Sequence, residues 1–89
     1  MNAIFHPNAL DHLAYWVQED PKIATKILAL IADARRRPFV GLGKPEPLRG
    51  NYKGWWSRRI TEEHRLVYRV TGTGGAQAIE IAQCRFHYS

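Results

Sequence analysis

The residue types that acid–base chemistry on a phosphate requires lie in the second half of this 89-residue chain. Glu46, between Pro45 and Pro47, is a candidate general base, because a following proline keeps its backbone out of the helical region and so fixes the direction of its carboxylate. His87 can serve as a general acid, since imidazole titrates near neutrality. Arg65 can stabilise the charge that develops on phosphorus. Such a set suits a metal-free attack on RNA by the substrate's own 2′-hydroxyl.

Each of these residues also has an ordinary structural explanation. Glu46 can be an exposed loop residue, and His87 and Tyr88 can be a frayed tail. Arg65 can simply pair with one of the glutamates that precede it. On the residues alone, both interpretations stay open.

The motifs of other kinds of chemistry are missing from the chain. The four histidines are widely spread, and neither an HExxH motif nor paired carboxylates with catalytic spacing is present. No GxxxxGK loop occurs, which excludes nucleotide hydrolysis of the P-loop type. The single cysteine, Cys84, excludes an internal disulfide framework and multi-cysteine zinc sites. We therefore expect an activity without a metal or another cofactor.

The charge of the chain is concentrated in its second half. The net charge is +5, and residues 42–89, with eight basic and four acidic side chains, contribute +4 of it. A basic surface attracts polyanions such as RNA, although a merely solubilising charge would give the same composition. No apolar stretch reaches the roughly 18 residues of a membrane span and no secretory leader is visible, so we expect a cytoplasmic protein without membrane contact.

The first half of the chain predicts a short strand and two helices. Apolar residues at 3–5 indicate the strand, and helical spacing of apolar residues predicts helices over about 9–18 and 21–36. Asn8 and Asp20 are the expected N-caps. The three arginines that end the second helix suit a helix C-terminus and an RNA contact equally well.

The second half predicts a long loop at 38–54 followed by strands at about 55–61, 65–71 and 77–84. If Leu66, Tyr68 and Val70 face the helices, Arg65 and Arg69 must face away, because side chains alternate across a strand. The expected fold is α+β, in the order β-α-α-β-β-β, with a single antiparallel sheet and two helices on one of its faces. The other face is then an open, basic surface.

Two adjacent tryptophans begin the first of these strands. Of Trp55 and Trp56, one is expected to enter the core and the other to be available to stack on a base. The alternation of the strand does not decide between them.

Four segments of the chain resemble the YoeB/Txe branch of the RelE-like bacterial toxins. They are DPKIATKILALI, RPFVGLGKPEPLRG, WWSRRITEEHRLVYRV and the ending CRFHY. The resemblance spans nearly the whole chain and implies one RelE-like domain over residues 1–89. It implies a ribosome-dependent endoribonuclease that cuts mRNA in the decoding site, a cognate antitoxin of the Phd/YefM type, and often a homodimer.

The resemblance also implies residue roles. Glu46 would be the general base, Arg65 the phosphate-stabilising group and His87 the general acid, with Tyr88 positioning or stacking on the substrate. The expected RNA-binding residues are Arg49, Arg59, Lys44 and Trp56. A loop at 71–77 that is longer than expected for the branch, and Ser89 after the terminal tyrosine, depart from the family's pattern.

Two other functions remain compatible with the sequence. A non-catalytic RNA-binding module would carry the same basic sheet, and a pure interaction protein would use its helices to hold a partner. Only the set of Glu46, Arg65 and His87 separates an enzyme from these alternatives, because a binding protein needs neither a base nor an acid.

Overall fold

A computed structural model describes residues 1–87, which form two helices and a five-stranded sheet. The elements are β1 (Asn2–Phe5), α1 (Pro7–Glu19), α2 (Pro21–Arg36), β2 (Glu46–Pro47), β3 (Trp56–Arg59), β4 (Arg65–Thr71) and β5 (Ala78–Gln83). The strand order in the sheet is β1-β5-β4-β3-β2. The predicted α+β class and the order of the main elements are confirmed.

The expectation of a purely antiparallel sheet is only partly right. Strands β2 to β5 pair antiparallel, but β1 runs parallel to β5. The two helices lie between β1 and the rest of the sheet in the sequence, and such a long crossover permits the parallel direction. In addition, the predicted loop contains β2, a two-residue strand at the sheet edge.

Both helices begin with a proline rather than with a side-chain cap. The cap of α1 is His6, in an extended conformation, and Pro7 is the first helical residue. Asn8, the predicted cap, therefore lies inside α1. Asp20 is the cap of α2, as expected, but its side chain makes no capping bond. Proline's fixed φ starts a helix without such a bond, which explains the earlier start of α1.

The core lies between the helices and one face of the sheet. Leu66 and Tyr68 of β4 are fully buried there, as their alternation predicts. They pack in one cluster with apolar residues of α2 and β5, among them Ile27, Leu30, Ile31, Ile79 and Ile81. Arg65 and Arg69 consequently point to the opposite face of the sheet.

Arg58 of β3 faces this core and is fully buried. Its Nη1 donates to Oδ2 of Asp33 at 2.6 Å, and its Nη2 donates to the carbonyls of Arg37 at 2.6 Å and Val40 at 2.8 Å. Its Nε donates to the hydroxyl of Tyr68 at 3.0 Å. The bonds tie β3 to the end of α2 and to the segment that leads toward β2.

Asp33 is the acceptor at the centre of that network. Arg37 donates to its Oδ1 from Nε at 3.2 Å and from Nη2 at 2.7 Å, and the Leu42 N–H donates to its Oδ2 at 2.9 Å. These bonds, together with the one from Arg58, hold the pKa of Asp33 well below its usual range. Of the three arginines that end α2, Arg37 therefore has a clear structural task.

Candidate active site

The candidate site begins at the edge strand β2. Glu46 lies directly opposite Ser57 of β3, and opposite residues of paired strands share one face of the sheet. Glu46 is exposed and, with Pro47, Leu48 and Arg49, lines an open cleft of about 560 Å³. The Leu48 N–H donates to the Trp55 carbonyl at 2.9 Å, so the segment is held against β3 beyond its two paired residues.

Two arginines face each other on the same side of the sheet. Arg59 of β3 is the cross-strand partner of Arg65 of β4, and both share the face of Ser57 and Glu46. Within residues 1–87, neither arginine forms an ion pair with a carboxylate. Like charges placed directly opposite destabilise a sheet, so this pair favours an anionic ligand between or above the two side chains.

The guanidinium of Arg65 is held in a fixed orientation. Its Nη1 donates to the carbonyls of Thr61, Glu62 and His64, at 2.8, 3.0 and 3.1 Å. The alternative interpretation, pairing with the carboxylates of the preceding glutamates, is not what the described structure shows. A cation fixed by backbone carbonyls, and mostly buried, needs little reorganisation to stabilise charge on a phosphate.

The chain end returns to Arg65. The Arg65 N–H donates to the Phe86 carbonyl at 3.1 Å, and the Phe86 N–H donates to Nδ1 of His64 at 2.8 Å. Phe86 has a φ of 67°, which lies in the left-handed region and turns the chain immediately before His87. His87 directly follows this anchored residue, and it is exposed. Tyr88, the fourth predicted catalytic residue, lies outside the described residues.

A second histidine, His12, holds the same segment two residues before Phe86. Nδ1 of His12 accepts the Cys84 N–H at 3.2 Å. Burial lowers the pKa of His12, and the nearby charge of Arg85 adds to the effect. Two imidazole acceptors, from His12 and His64, therefore hold the segment that carries His87.

The two tryptophans take opposite faces. Trp56 is the partner of Tyr68, packs against the core and contacts Phe39, with ring centroids 4.8 Å apart. Trp56, predicted to bind RNA, thus lies on the core face of β3, and its RNA-binding role stays a prediction. Trp55 lies on the face of Glu46, under Arg69. The sequence alone does not show which of the two tryptophans faces the core, because they begin the predicted strand and no earlier residue sets its alternation.

The remaining predicted basic residues border this region. Arg49 and Lys44 are both exposed, and Lys44 and Arg59 line a smaller cavity of about 350 Å³ whose other wall is formed by α2 residues such as Leu30. Lys44 has a φ of 52°, an unusual value for a residue before a proline.

The residues that the structure describes contain neither a metal-binding cluster nor a reactive cysteine. Within residues 1–87, no group of three or more histidine, cysteine or acidic side chains is placed to hold a metal ion. The Cys84 thiol is buried, which raises its pKa to about 12 and makes it a poor nucleophile.

Within residues 1–87, no helix is long and apolar enough to cross a membrane.

A family model of the YoeB-like toxins of bacterial type II toxin–antitoxin systems matches residues 5–88. The chain belongs to this family. Toxin YoeB of Escherichia coli strain K12 is 52% identical over 88 residues, which make up 99% of this chain and 100% of that protein.

Solved structures agree with this membership. A YoeB/ParE toxin from Agrobacterium tumefaciens is 51% identical, with a TM-score of 0.96 over 99% of this chain and 100% of that one. Two Staphylococcus aureus structures, a YoeB dimer and a heterotetrameric YoeB–YefM toxin–antitoxin complex, each give a TM-score of 0.86 at 42% identity, over 99% of this chain and 98% of theirs. The protein is thus a type II toxin–antitoxin toxin with the RelE-like fold.

In this YoeB-like toxin, Glu46, Arg59 and Arg65 share one face of the sheet, and Arg65 is bonded to the residue directly before His87. Two features of this region were not predicted from the sequence. The histidine acceptors were missed because their partners lie far along the chain. The contact between Trp55 and Arg69 was missed because Trp56 was expected on that face.

Proposed function

We propose that this toxin is a ribosome-dependent, metal-independent endoribonuclease that cleaves mRNA in the decoding site and so inhibits translation. Residues 1–89 would form its single catalytic domain. The observation that carries the proposal is the cross-strand pair of Arg59 and Arg65 on the same face as Glu46, with the Arg65 N–H bonded to the residue before His87. This arrangement supports a site in which the two arginines bind one phosphate, Glu46 acts as the base and His87 as the acid.

The proposed reaction is attack of the substrate's 2′-oxygen on the adjacent phosphorus. Glu46 accepts the proton of the 2′-hydroxyl as the new oxygen–phosphorus bond forms. Arg65 stabilises the additional negative charge on the phosphoryl oxygens. His87 donates a proton to the leaving 5′-oxygen, so the products are a 2′,3′-cyclic phosphate and a free 5′-hydroxyl. Tyr88, next in the chain, would position or stack on the substrate.

Substrate binding would use the cations around this centre. Arg49 lies in the cleft of Glu46, and Arg59 and Lys44 line a second cavity beside α2. Each can hold a phosphate of the RNA, and arginine's planar fork suits phosphate oxygens particularly well. For base stacking, Trp55 replaces Trp56, because only Trp55 shares the face of the site.

The proposed partners follow from charge and from family membership. A protein with a net charge of +5 suits rRNA and mRNA as ligands and an acidic Phd/YefM-type antitoxin as inhibitor. The Staphylococcus aureus relative is found both as a dimer and with YefM. We extend both kinds of assembly to this toxin, together with a location in the cytoplasm, where ribosomes are.

A non-catalytic RNA-binding module is the main alternative, and a pure interaction protein is the second. Induction of the toxin in a bacterial host, followed by mapping of mRNA 5′-ends, discriminates among them. The proposal expects growth arrest with new 5′-ends at defined codon positions, and neither with Glu46→Gln. The matched control is Glu19→Gln, at an exposed glutamate ending α1, which should behave as wild type. Arrest without new 5′-ends would contradict nuclease activity.

A further inference from the structure

Four side chains form a connected cluster on the face of the candidate site, at the opposite end of the ladder from Arg59 and Arg65. His6 donates from Nε2 to Oε1 of Glu80 at 2.7 Å. Arg69 donates from Nη2 to the same oxygen at 3.1 Å and from Nε to Oε2 at 3.3 Å. The guanidinium carbon of Arg69 lies over the Trp55 ring, 4.4 Å from its centroid.

This cluster fixes the plane of a guanidinium group. The two bonds from Arg69 to Glu80 form a planar fork, and His6 holds Glu80 in turn. His6 also contacts the Trp55 ring edge-on, with centroids 5.9 Å apart. Nevertheless, 43% of the Arg69 side chain remains exposed. One side of its guanidinium is therefore covered by the indole, while the side chain as a whole stays accessible from solvent.

The charge of this arginine is largely compensated, unlike that of Arg59 and Arg65. Glu80 is 16% exposed, and its bonds to His6 and Arg69 hold its pKa below the usual range, so it stays ionised. An arginine paired in this way contributes little to phosphate binding. Its exposed plane can still stack on a nucleobase, since arginine guanidinium planes and aromatic rings both serve as stacking surfaces for single-stranded RNA.

The position relative to the proposed reaction centre suits a neighbouring nucleotide. Arg65 and Arg69 lie on the same face of β4, four residues apart, which corresponds to about 13 Å along a strand. Trp55 and Arg69 sit side by side across the β3–β4 ladder, next to the pair formed by Trp56 and Tyr68. RNA bound by Arg59 and Arg65 can therefore extend along this face to the cluster.

We propose that Arg69, stacked on Trp55 and oriented by Glu80 and His6, forms a stacking subsite for one nucleobase of the mRNA, apart from the nucleotides that react. The inference rests on the proposed function, because it places mRNA on this face. It assigns Arg69 to base stacking and not to phosphate binding. The two roles can be separated by experiment, because base stacking depends on the presence of the base, whereas phosphate binding depends on salt.

The test combines a protein variant with an RNA that lacks one base. A Glu46→Gln background prevents cleavage, and affinity is measured for a short RNA, free and on programmed ribosomes, with a single abasic nucleotide moved stepwise along it. In the Glu46→Gln protein, the abasic nucleotide should reduce affinity about 5- to 50-fold at one position outside the scissile dinucleotide. Adding Arg69→Ala should cause the same loss with intact RNA and no further loss with that abasic RNA.

Salt dependence separates stacking from phosphate binding. Arg69→Ala should leave the slope of log affinity against log salt unchanged, whereas Arg59→Ala should reduce it by about 0.7, the value for one phosphate of a single strand. Lys22→Ala removes one positive charge from the exposed first turn of α2 and is the matched control for both measurements. Arg69→Lys keeps the charge but lacks the plane, so it should lose affinity as Arg69→Ala does, and it serves if the alanine variant does not fold.

Several outcomes would overturn the subsite. One is that the abasic nucleotide and Arg69→Ala reduce RNA affinity independently of each other. Another is that Arg69→Ala reduces the slope of log affinity against log salt as Arg59→Ala does. A third is that Arg69→Ala leaves RNA affinity unchanged but weakens antitoxin binding. Any of them, in a toxin that still cleaves mRNA, rejects the subsite and leaves the proposed function standing. Absence of RNA binding in both settings, together with absence of cleavage, would reject both.

Discussion

The backbone N–H of Arg65 donates to the carbonyl of Phe86, 3.1 Å away, across 21 residues of sequence. This bond joins the strand that carries Arg65 to the residue directly before His87. Because Nη1 of Arg65 is bonded to carbonyls of the preceding turn, the same residue holds the turn and anchors the chain end. Arg65, the proposed cation, is thus bonded directly to the residue that precedes the proposed acid.

Replacing Arg65 with lysine should impair chemistry more than binding. Lysine keeps the positive charge but lacks the planar fork, so it cannot reproduce the contact to the phosphoryl oxygens. Single-turnover cleavage on programmed ribosomes should fall by about 10²–10³-fold while ribosome affinity changes little. Arg59→Ala should do the reverse, weakening binding and its salt dependence. Identical profiles for the two variants would reject this division of roles.

Removing residues 87–89 should abolish cleavage but keep the fold. The core ends with β5 and Cys84, and the segment is held up to Phe86 by His12 and His64. A chain that ends at Phe86 should therefore keep its circular dichroism spectrum and ribosome binding yet show almost no mRNA cleavage. A chain that ends at Tyr88 is the control and should be fully active. Wild-type cleavage by the shorter chain would exclude His87 as the acid.

The stability of the protein should fall on mild acidification. The pKa of His12 is lower in the folded state than its ordinary value near 6.5, so the unfolded chain takes up that proton first as the pH falls. This contribution to stability is present above about pH 6.5 and is lost as the pH falls toward the lowered pKa. Melting temperatures measured from pH 8 to pH 5 should show the decrease. His12→Asn retains an acceptor that does not titrate and should flatten it; an equally steep profile would contradict the assignment to His12.

The buried Arg58 should be essential to stability, in contrast to its exposed neighbour. Arg58→Met removes one donor from Asp33 and the arginine donor from three backbone carbonyls, those of Arg37, Val40 and Leu42, next to a fully buried side chain. We expect the melting temperature to fall by more than about 10 °C. Arg59→Met, on the same strand but on the other face, should change it by less than about 4 °C. Similar losses for both would show that burial of Arg58 does not govern stability.

The sequence predicts well what depends on local alternation. The apolar spacing of β4 correctly sent Leu66 and Tyr68 inward and Arg65 outward. It did not predict that Arg58 faces the core, because that position depends on Asp33, which lies 25 residues earlier. Nor did it predict the parallel pairing of β1, since the partners of that pairing, such as Ile4 and Glu80, are joined only by the tertiary fold.

In the candidate site, too, local features could be predicted from the sequence and tertiary contacts could not. Glu46 was found from its flanking prolines, but the strand in which it lies has only two residues and leaves no periodic pattern. The pairing register that sets Arg59 opposite Arg65 depends on the turn between β3 and β4. The subsite of Arg69 and Trp55 needs contributions from β1, β3, β4 and β5 at once, and no local pattern encodes such a contact.

The most direct test of the account is the rate of mRNA cleavage by Glu46→Gln. This change keeps the size and polarity of the side chain but removes the proton acceptor. Single-turnover cleavage on programmed ribosomes should be about 10²–10⁴ times slower than for wild type, with ribosome affinity unchanged and Glu19→Gln fully active. An undiminished rate for Glu46→Gln would remove Glu46 from the mechanism and contradict the proposed acid–base reaction.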